Sequence, residues 1–184
     1  MQIIAGSQKG RKLKAFKNKK IRPTSQKVKA ALFNILGQKL AGKKFLDLFA
    51  GTGGMGIEAL SRGAGEVVFV EESHSLCRII EENLRRAGFQ NGGRIFCFDV
   101  LKFLRKGLVR LSDFDFIFLD PPYYSPEGLK VMREIGKDGI LGKNQIIIFE
   151  HRRQNRLPEA IEKLISIRQN NYGDTVLCFF RVNQ

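Results

Sequence analysis

The first 46 residues contain no acidic side chain, although they hold 13 Lys and Arg. The chain has no tryptophan and only two histidines, His74 and His151. Its three cysteines, Cys77, Cys97 and Cys178, form no CxxC pair. Without a Cys/His cluster the sequence offers no structural zinc site, and none is expected. The odd, scattered cysteines read as reduced thiols of a cytoplasmic protein. No apolar run approaches the roughly 18 residues that span a bilayer, so no membrane association is expected. The N-terminus turns basic after Met1-Gln2-Ile3-Ile4-Ala5 and lacks a secretory pattern.

What is present is a chain of 184 residues, 43% hydrophobic and 27% charged, the balance of one globular domain. Its formal charge of +14 is unevenly placed. Residues 47–184 carry 19 basic and 18 acidic side chains and are nearly neutral, so the excess belongs to the N-terminal quarter. The densest stretch holds Lys9, Arg11, Lys12, Lys14, Lys17, Lys19, Lys20 and Arg22. Ile3, Ile4, Leu13 and Phe16 are interleaved with polar residues, and Gly6 and Gly10 punctuate them. The pattern predicts a short basic hairpin over 1–22, an arm on a body of 23–184. Phosphates of a nucleic acid are the polyanion such an arm suits.

Thr24 or Ser25 can cap a helix running to about Leu36. From residue 44 onward, apolar runs alternate with helical periodicity. Strands are expected at 45–49, 67–70, 95–98, 114–119, 146–149, 164–169 and 175–181. Helices are expected at 55–62, 73–87, 101–107, 126–135 and 158–163. This is an α/β fold, a Rossmann-like arrangement with a seven-stranded, mostly parallel sheet. The link 170–174 is too short for a crossover, so the last strand should run antiparallel.

The first strand leads into Asp47-Leu48-Phe49-Ala50-Gly51-Thr52-Gly53-Gly54-Met55-Gly56. Ligands of open α/β sheets bind beyond the carboxyl ends of the strands, so this loop is a nucleotide-site candidate. Gly51, Gly53 and Gly56 satisfy GxGxxG, a pattern that also fits NAD. Glu71 ends the second strand, where a carboxylate would take ribose hydroxyls of either ligand. Asp47 favours S-adenosylmethionine, whose ammonium group it could meet. Asp99 ends the third strand, where it could accept from an adenine amino group or simply cap a helix.

The fourth strand ends in Asp120-Pro121-Pro122-Tyr123, the most specific signal in the chain. An exocyclic base amine is a poor nucleophile because its lone pair is delocalised into the ring. The Asp120 carboxylate and a carbonyl near Pro121 can accept its two N–H groups and free that pair. Two prolines fix the loop, and Tyr123 offers a face for stacking an extruded base. His151 reads as a solvated loop residue, with Arg152, Arg153 and Arg156 after it as a second RNA-contacting loop.

On these residues the chain resembles the bacterial small-subunit ribosomal RNA guanine-N2 methyltransferases. The likeness runs through Ile3-Ile4-Ala5-Gly6, Lys9-Gly10-Arg11, Arg22-Pro23-Thr24, the loop from Leu46 to Gly53, and Gly56-Ile57-Glu58-Ala59-Leu60-Ser61-Arg62-Gly63-Ala64. It continues at Val70-Glu71, Asn83-Leu84, Phe118-Leu119-Asp120-Pro121-Pro122 and Glu150. The resemblance implies a class I methyltransferase fold with an RNA-contacting N-terminal hairpin. It implies methylation of one guanine of 16S rRNA on an assembled small subunit, by a monomer using S-adenosylmethionine. Asp47, Phe49, Ala50, Gly51, Thr52, Gly53, Gly56, Glu71, Asp99 and Asp120 would bind that cofactor. Asp120, Pro121, Pro122 and Tyr123 would be catalytic. Lys9, Arg11, Lys12, Lys14, Arg22 and Thr24 would meet RNA. The family usually ends the tetrapeptide in Phe. Tyr123 therefore leaves adenine-N6 methylation of RNA or DNA open, beside a non-catalytic RNA-binding assembly factor.

Overall fold

The computed structural model describes residues 1–16, 25–122, 126–137, 139–142, 144–155 and 157–183. Within these, one sheet of eight strands carries helices on both faces. The strands are β1 (Lys44–Leu48), β2 (Glu66–Glu71), β3 (Gly93–Cys97), β4 (Phe116–Leu119), β5 (Ile146–Arg152), β6 (Ala160–Ile161), β7 (Leu164–Tyr172) and β8 (Thr175–Val182). Their order is β3-β2-β1-β4-β5-β8-β7-β6. The first five are mutually parallel, and β8 runs antiparallel to both β5 and β7. This is the expected Rossmann-like class, extended by one two-residue strand.

The α-helices are α1 (Gln26–Leu36), α2 (Gly54–Ser61), α3 (His74–Ala87), α4 (Val100–Arg105) and α5 (Glu127–Ile135). Ser25 starts α1 by accepting the Val28 amide on its hydroxyl, and Gly37 ends it at φ 53°. Parallel strands covered on both sides are apolar throughout, and side-chain alternation sorts them into two layers. Phe45, Val67, Phe69, Phe116, Phe118 and Ile148 pack towards α1, α2 and α3. Leu46, Val68, Val70, Ile117, Leu119 and Ile147 pack towards α4 and α5. The aromatics of the fourth strand are core, as the sequence suggests.

Two expectations change. The segment 158–163 is no helix: Ile161 pairs with Leu164 across a tight turn in which Glu162 takes φ 52°. Leu157, Ala160, Ile161 and Leu164 imitate helical spacing, but pairing with β7 satisfies the backbone instead. The thiols expected to be separate and reduced are partly paired, Cys77 of α3 being disulfide-bonded to Cys97 of β3. Their Cα atoms lie 6.0 Å apart because α3 packs against β3. Cys178 is free and buried, and burial pushes its thiol up to about 11.

The N-terminal hairpin forms within residues 1–16. Gln2 bridges Lys12, the Ile3 amide donates to Arg11 O (3.0 Å), and the Leu13 amide donates to Met1 O (2.9 Å). Ile3 and Leu13 are buried in the layer beneath α1 and α2. Lys17, Lys19, Lys20, Arg22 and Thr24 lie outside the described residues, as does the expected arm boundary.

Candidate active site

Four neighbouring parallel strands end in acids on one face. Asp47 pairs in register with Phe69 and Phe118. Glu71 and Asp120 each lie two residues further along, and two residues restore the same face. By the same alternation Asp99 follows β3, whose Cys97 pairs with Glu71. Asp99, Glu71, Asp47 and Asp120 therefore line the carboxyl edge in the strand order β3-β2-β1-β4. Glu150 continues the row on β5 and is buried.

The glycine loop is tied to these acids. After β1, Phe49 takes φ 61°, a left-handed conformation rare for an aromatic residue. Gly51 (φ 56°) and Gly53 (φ 78°) continue the sharp turn. The Gly51 amide donates to Glu71 Oε2 (2.8 Å), and the Ser73 amide to Glu71 Oε1 (3.0 Å). The Gly56 amide donates to Asp47 Oδ2 (2.9 Å). Gly56 also lies so close to Phe69 and Val67 that a Cβ there would collide with both. Asp99 accepts the Lys102 amide on Oδ1 (2.8 Å), so it does cap α4 and is held at the strand end by doing so.

Burial pushes the Asp47 carboxyl up to about 8; the Gly56 amide opposes this, and the nearby charges of Asp120 and Glu71 add to it. Burial also raises Glu71, against the Ser73 and Gly51 amides. A buried pair of acids, Asp47 and Glu71, that resists ionisation suits a ligand carrying positive charge and hydroxyl donors. A pyrophosphate would bring further negative charge to a place that already resists carrying it, which argues against a dinucleotide despite the GxGxxG match. A ligand with a ribose, an ammonium and a sulfonium fits it.

Asp120 closes β4 and is half-buried, and Pro121 is buried behind it. Gly128 of α5 has no room for a Cβ because Pro121 and Phe149 abut it, so α5 braces the turn. Tyr123 lies outside the described residues, as does Arg156. His151 is a correction: it is buried rather than solvated. Its Nδ1 is 2.8 Å from Arg152 O and its Nε2 3.3 Å from Cys178 Sγ; burial lowers its pKa.

Of the expected RNA contacts, Lys9 and Lys12 are exposed. Arg11 and Lys14 are exposed as well; Lys14 also pairs with Glu82 (2.5 Å) and Arg11 donates to Arg86 O (2.7 Å), so both help seat the arm on α3.

The residues given no role by the sequence are the arm's anchors. Glu58, fully buried on α2, accepts the Ile4 amide (2.8 Å), the Ala5 amide (3.0 Å) and Arg62 Nε (2.8 Å). Buried Lys29 stands 3.3 Å from it and donates to Gln2 O (3.1 Å); burial lowers the Lys29 pKa despite Glu58. Ser61 Oγ accepts the Gln8 amide (3.0 Å) and donates to Ala5 O (2.7 Å). The Glu-Ala-Leu-Ser-Arg-Gly run is thus a docking platform. A charged residue inside a helix otherwise buried from Met55 to Ser61 was the signal that could have revealed it. Glu58→Ala would leave the Lys29 ammonium buried without its carboxylate, at a cost of about 3–5 kcal/mol. The expected result is a melting temperature lowered by roughly 10 °C, with early proteolytic cleavage inside residues 1–16. Thermal unfolding and limited proteolysis check it.

The sheet order and the acid-lined glycine loop define a Rossmann-like methyltransferase. The chain belongs to the family described as conserved hypothetical protein 95, whose model matches residues 1–181. It is 36% identical over 181 residues to YlbH of Bacillus subtilis (strain 168), covering 98% of each chain. It is 31% identical over 181 residues to ribosomal RNA small subunit methyltransferase D of Buchnera aphidicola subsp. Acyrthosiphon pisum (strain APS), covering 98% of this chain and 92% of that one. An RNA methyltransferase from Salinibacter ruber, solved in complex with S-adenosyl-L-homocysteine, shares the fold at a TM-score of 0.67 and 14% identity, over 89% of this chain and 95% of that one.

Proposed function

We propose that this protein transfers the methyl group of S-adenosylmethionine to the exocyclic N2 amino group of one guanine in 16S rRNA. The substrate in this reading is an assembled small-subunit particle, and the setting is the cytoplasm. The observation that carries it is the row Asp99, Glu71, Asp47 and Asp120 on one face of four adjacent strand ends, with the basic arm docked on α2 and α3 beside it. The small-subunit name of the Buchnera relative supports the RNA class.

Bound there, S-adenosylmethionine supplies an electrophilic methyl on a sulfonium that departs as a neutral thioether. Asp99 and Glu71 face the adenine and ribose end. Each Glu71 oxygen already accepts one amide but keeps a second lone pair for a ribose hydroxyl. Asp47 takes the ammonium end at the start of the glycine loop. Asp120 and the carbonyl beside Pro121 would accept the N–H groups of the guanine amine and free its lone pair for attack on the methyl group. Transfer would form the N–C bond as the sulfonium's S–C bond breaks, and the surplus amine proton would pass to the Asp120 carboxylate or to water. Positioning and preset dipoles supply the acceleration. We assign RNA contact to Lys9, Arg11, Lys12, Lys14, Arg22 and Thr24 of the arm and its junction, and base stacking to Tyr123. The acting unit is a monomer.

The deciding experiment uses tritiated S-adenosylmethionine and 30S particles from cells lacking the enzyme, followed by digestion of the rRNA. Label in N2-methylguanosine is expected. Label in N6-methyladenosine would keep the mechanism and overturn the base. Cofactor binding with no label in any RNA would favour an assembly factor. The arm gives a second expected result. Lys9→Ala and Lys12→Ala should each weaken RNA binding and flatten the slope of log K against log salt by about 0.7–0.9. Filter binding at several salt concentrations reads this; unchanged slopes would remove these lysines from the interface.

A further inference from the structure

Asn83 lies on the apolar face of α3 and is fully buried. Its side-chain amide joins two segments far apart in sequence. Oδ1 accepts the Lys14 amide (2.7 Å), and Nδ2 donates both to Lys14 O (3.1 Å) and to Thr52 O (2.9 Å). The Lys14 amide can only donate, so its bond fixes which way the group points. One planar amide thereby clamps the backbone of the arm to the backbone of the glycine loop. Met1 strengthens the junction: its Sδ would be 2.7 Å from a Cβ on Gly54, so the arm's first residue lies directly on the start of α2.

We propose that Asn83 is a positioning residue that couples the two binding events, so that order imposed on the glycine loop by the cofactor is transmitted to the RNA-contacting arm, and the reverse. This rests on the reading of the loop as the cofactor site and of the arm as the RNA contact. The physical reason is that Thr52 O and the Lys14 peptide share one rigid group. Displacing the loop must either break the Asn83–Thr52 bond, leaving the fully buried Asn83 amide short of a partner, or carry Lys14 with it, and an unpaired buried polar group is costly. Coupling between ligands is reciprocal by linkage, and because the proposed clamp joins the two backbones directly, cofactor bound at the loop should protect the arm without RNA.

Hydrogen exchange on the full chain, with and without S-adenosylhomocysteine, tests this without RNA. In the wild-type protein the ligand should slow exchange in residues 50–56, and it should slow the Leu13 and Lys14 amides as well, by about five-fold or more. Asn83→Asp keeps the acceptor for the Lys14 amide but loses both donated bonds. In that variant the loop should still slow while the arm no longer responds. Methyl transfer by the variant should show a raised KM for RNA with a smaller change in kcat. Protection of the loop without the arm in the wild-type protein overturns the coupling, and so does equal arm protection in the variant. No protection anywhere would instead sink the cofactor reading itself. The wild-type comparison stands on its own should the variant fail to fold.

Discussion

Asp120→Ala is expected to lower the rate of methyl transfer by about a hundred- to a thousand-fold, the range seen when a preset polar group at a reacting centre is removed. The amine that Asp120 would hold has its lone pair delocalised into the base. Alanine leaves one N–H without an acceptor and allows the amine to stay planar. The loss should fall on kcat under single-turnover conditions with saturating cofactor, because the interaction strengthens as the N–C bond forms. Cofactor affinity should move by less than about ten-fold, since the loop, Glu71 and Asp47 are untouched. Removing the Asp120 charge should also let Asp47 ionise at lower pH, because that charge helps hold the Asp47 carboxyl up near 8. Asp120→Asn keeps a neutral carbonyl acceptor but loses the negative charge and the proton-accepting carboxylate, so its rate should fall between those of alanine and the wild type. A variant retaining a tenth or more of the wild-type rate would show that the strand-end carboxylate is not the amine acceptor.

The candidate site is legible where chemistry interrupts an apolar run. Parallel strands buried on both faces leave few places for a charge, so Asp47 stands out within FLDLF, and Glu71 and Asp120 at the ends of VVFV and FDFIFL. Asp99 carried the same signal, but its rival reading as a helix cap is also real, since Oδ1 holds the Lys102 amide. The arm's sign was legible from charge alone; its attachment was not. Asn83 sits among Ile80, Leu84 and Ala87 on the buried stripe of α3, and a polar residue on an apolar stripe was the available clue. Its partners, Lys14 and Thr52, are 69 and 31 residues away, and only the packing of α3 against α2 brings them together. The turn between β6 and β7 was hidden because it uses Glu162 at positive φ rather than the Asn or Gly that announces such hairpins. The Cys77–Cys97 pair was hidden for a related reason: its 20-residue separation has meaning only once α3 lies along β3.

Asp47→Asn is expected to make the ligand-free protein more stable and the cofactor-binding protein worse. The folded chain holds the Asp47 proton up to about pH 8, whereas the unfolded chain releases it near 3.8. The folded state therefore binds the extra proton between those values, and stability falls as pH rises through that window. The contribution is intact below 3.8 and is lost by the time pH passes about 8, where a carboxylate must be carried in the dry interior. Asparagine resembles the protonated acid: it is neutral and can still accept the Gly56 amide. The two proteins should thus melt alike below about pH 4, diverge progressively between there and about pH 8, and keep a constant gap above it. Near pH 8.5 the variant should be ahead by a few kcal/mol, roughly 5–10 °C. Binding should move the other way. A ligand ammonium beside Asp47 favours the carboxylate, so binding releases a proton, and wild-type affinity should rise with pH, by up to about ten-fold per unit between 6 and 8, then level off. Asparagine should bind S-adenosylhomocysteine about a hundred-fold more weakly and show no such slope. Thermal unfolding across pH 5–9, paired with calorimetric titration in buffers of different ionisation heat, reads both sides. A variant that melts below the wild type at pH 8.5 would mean that the fold itself needs the charge. A wild-type affinity indifferent to pH would mean that the ligand's cation does not meet Asp47.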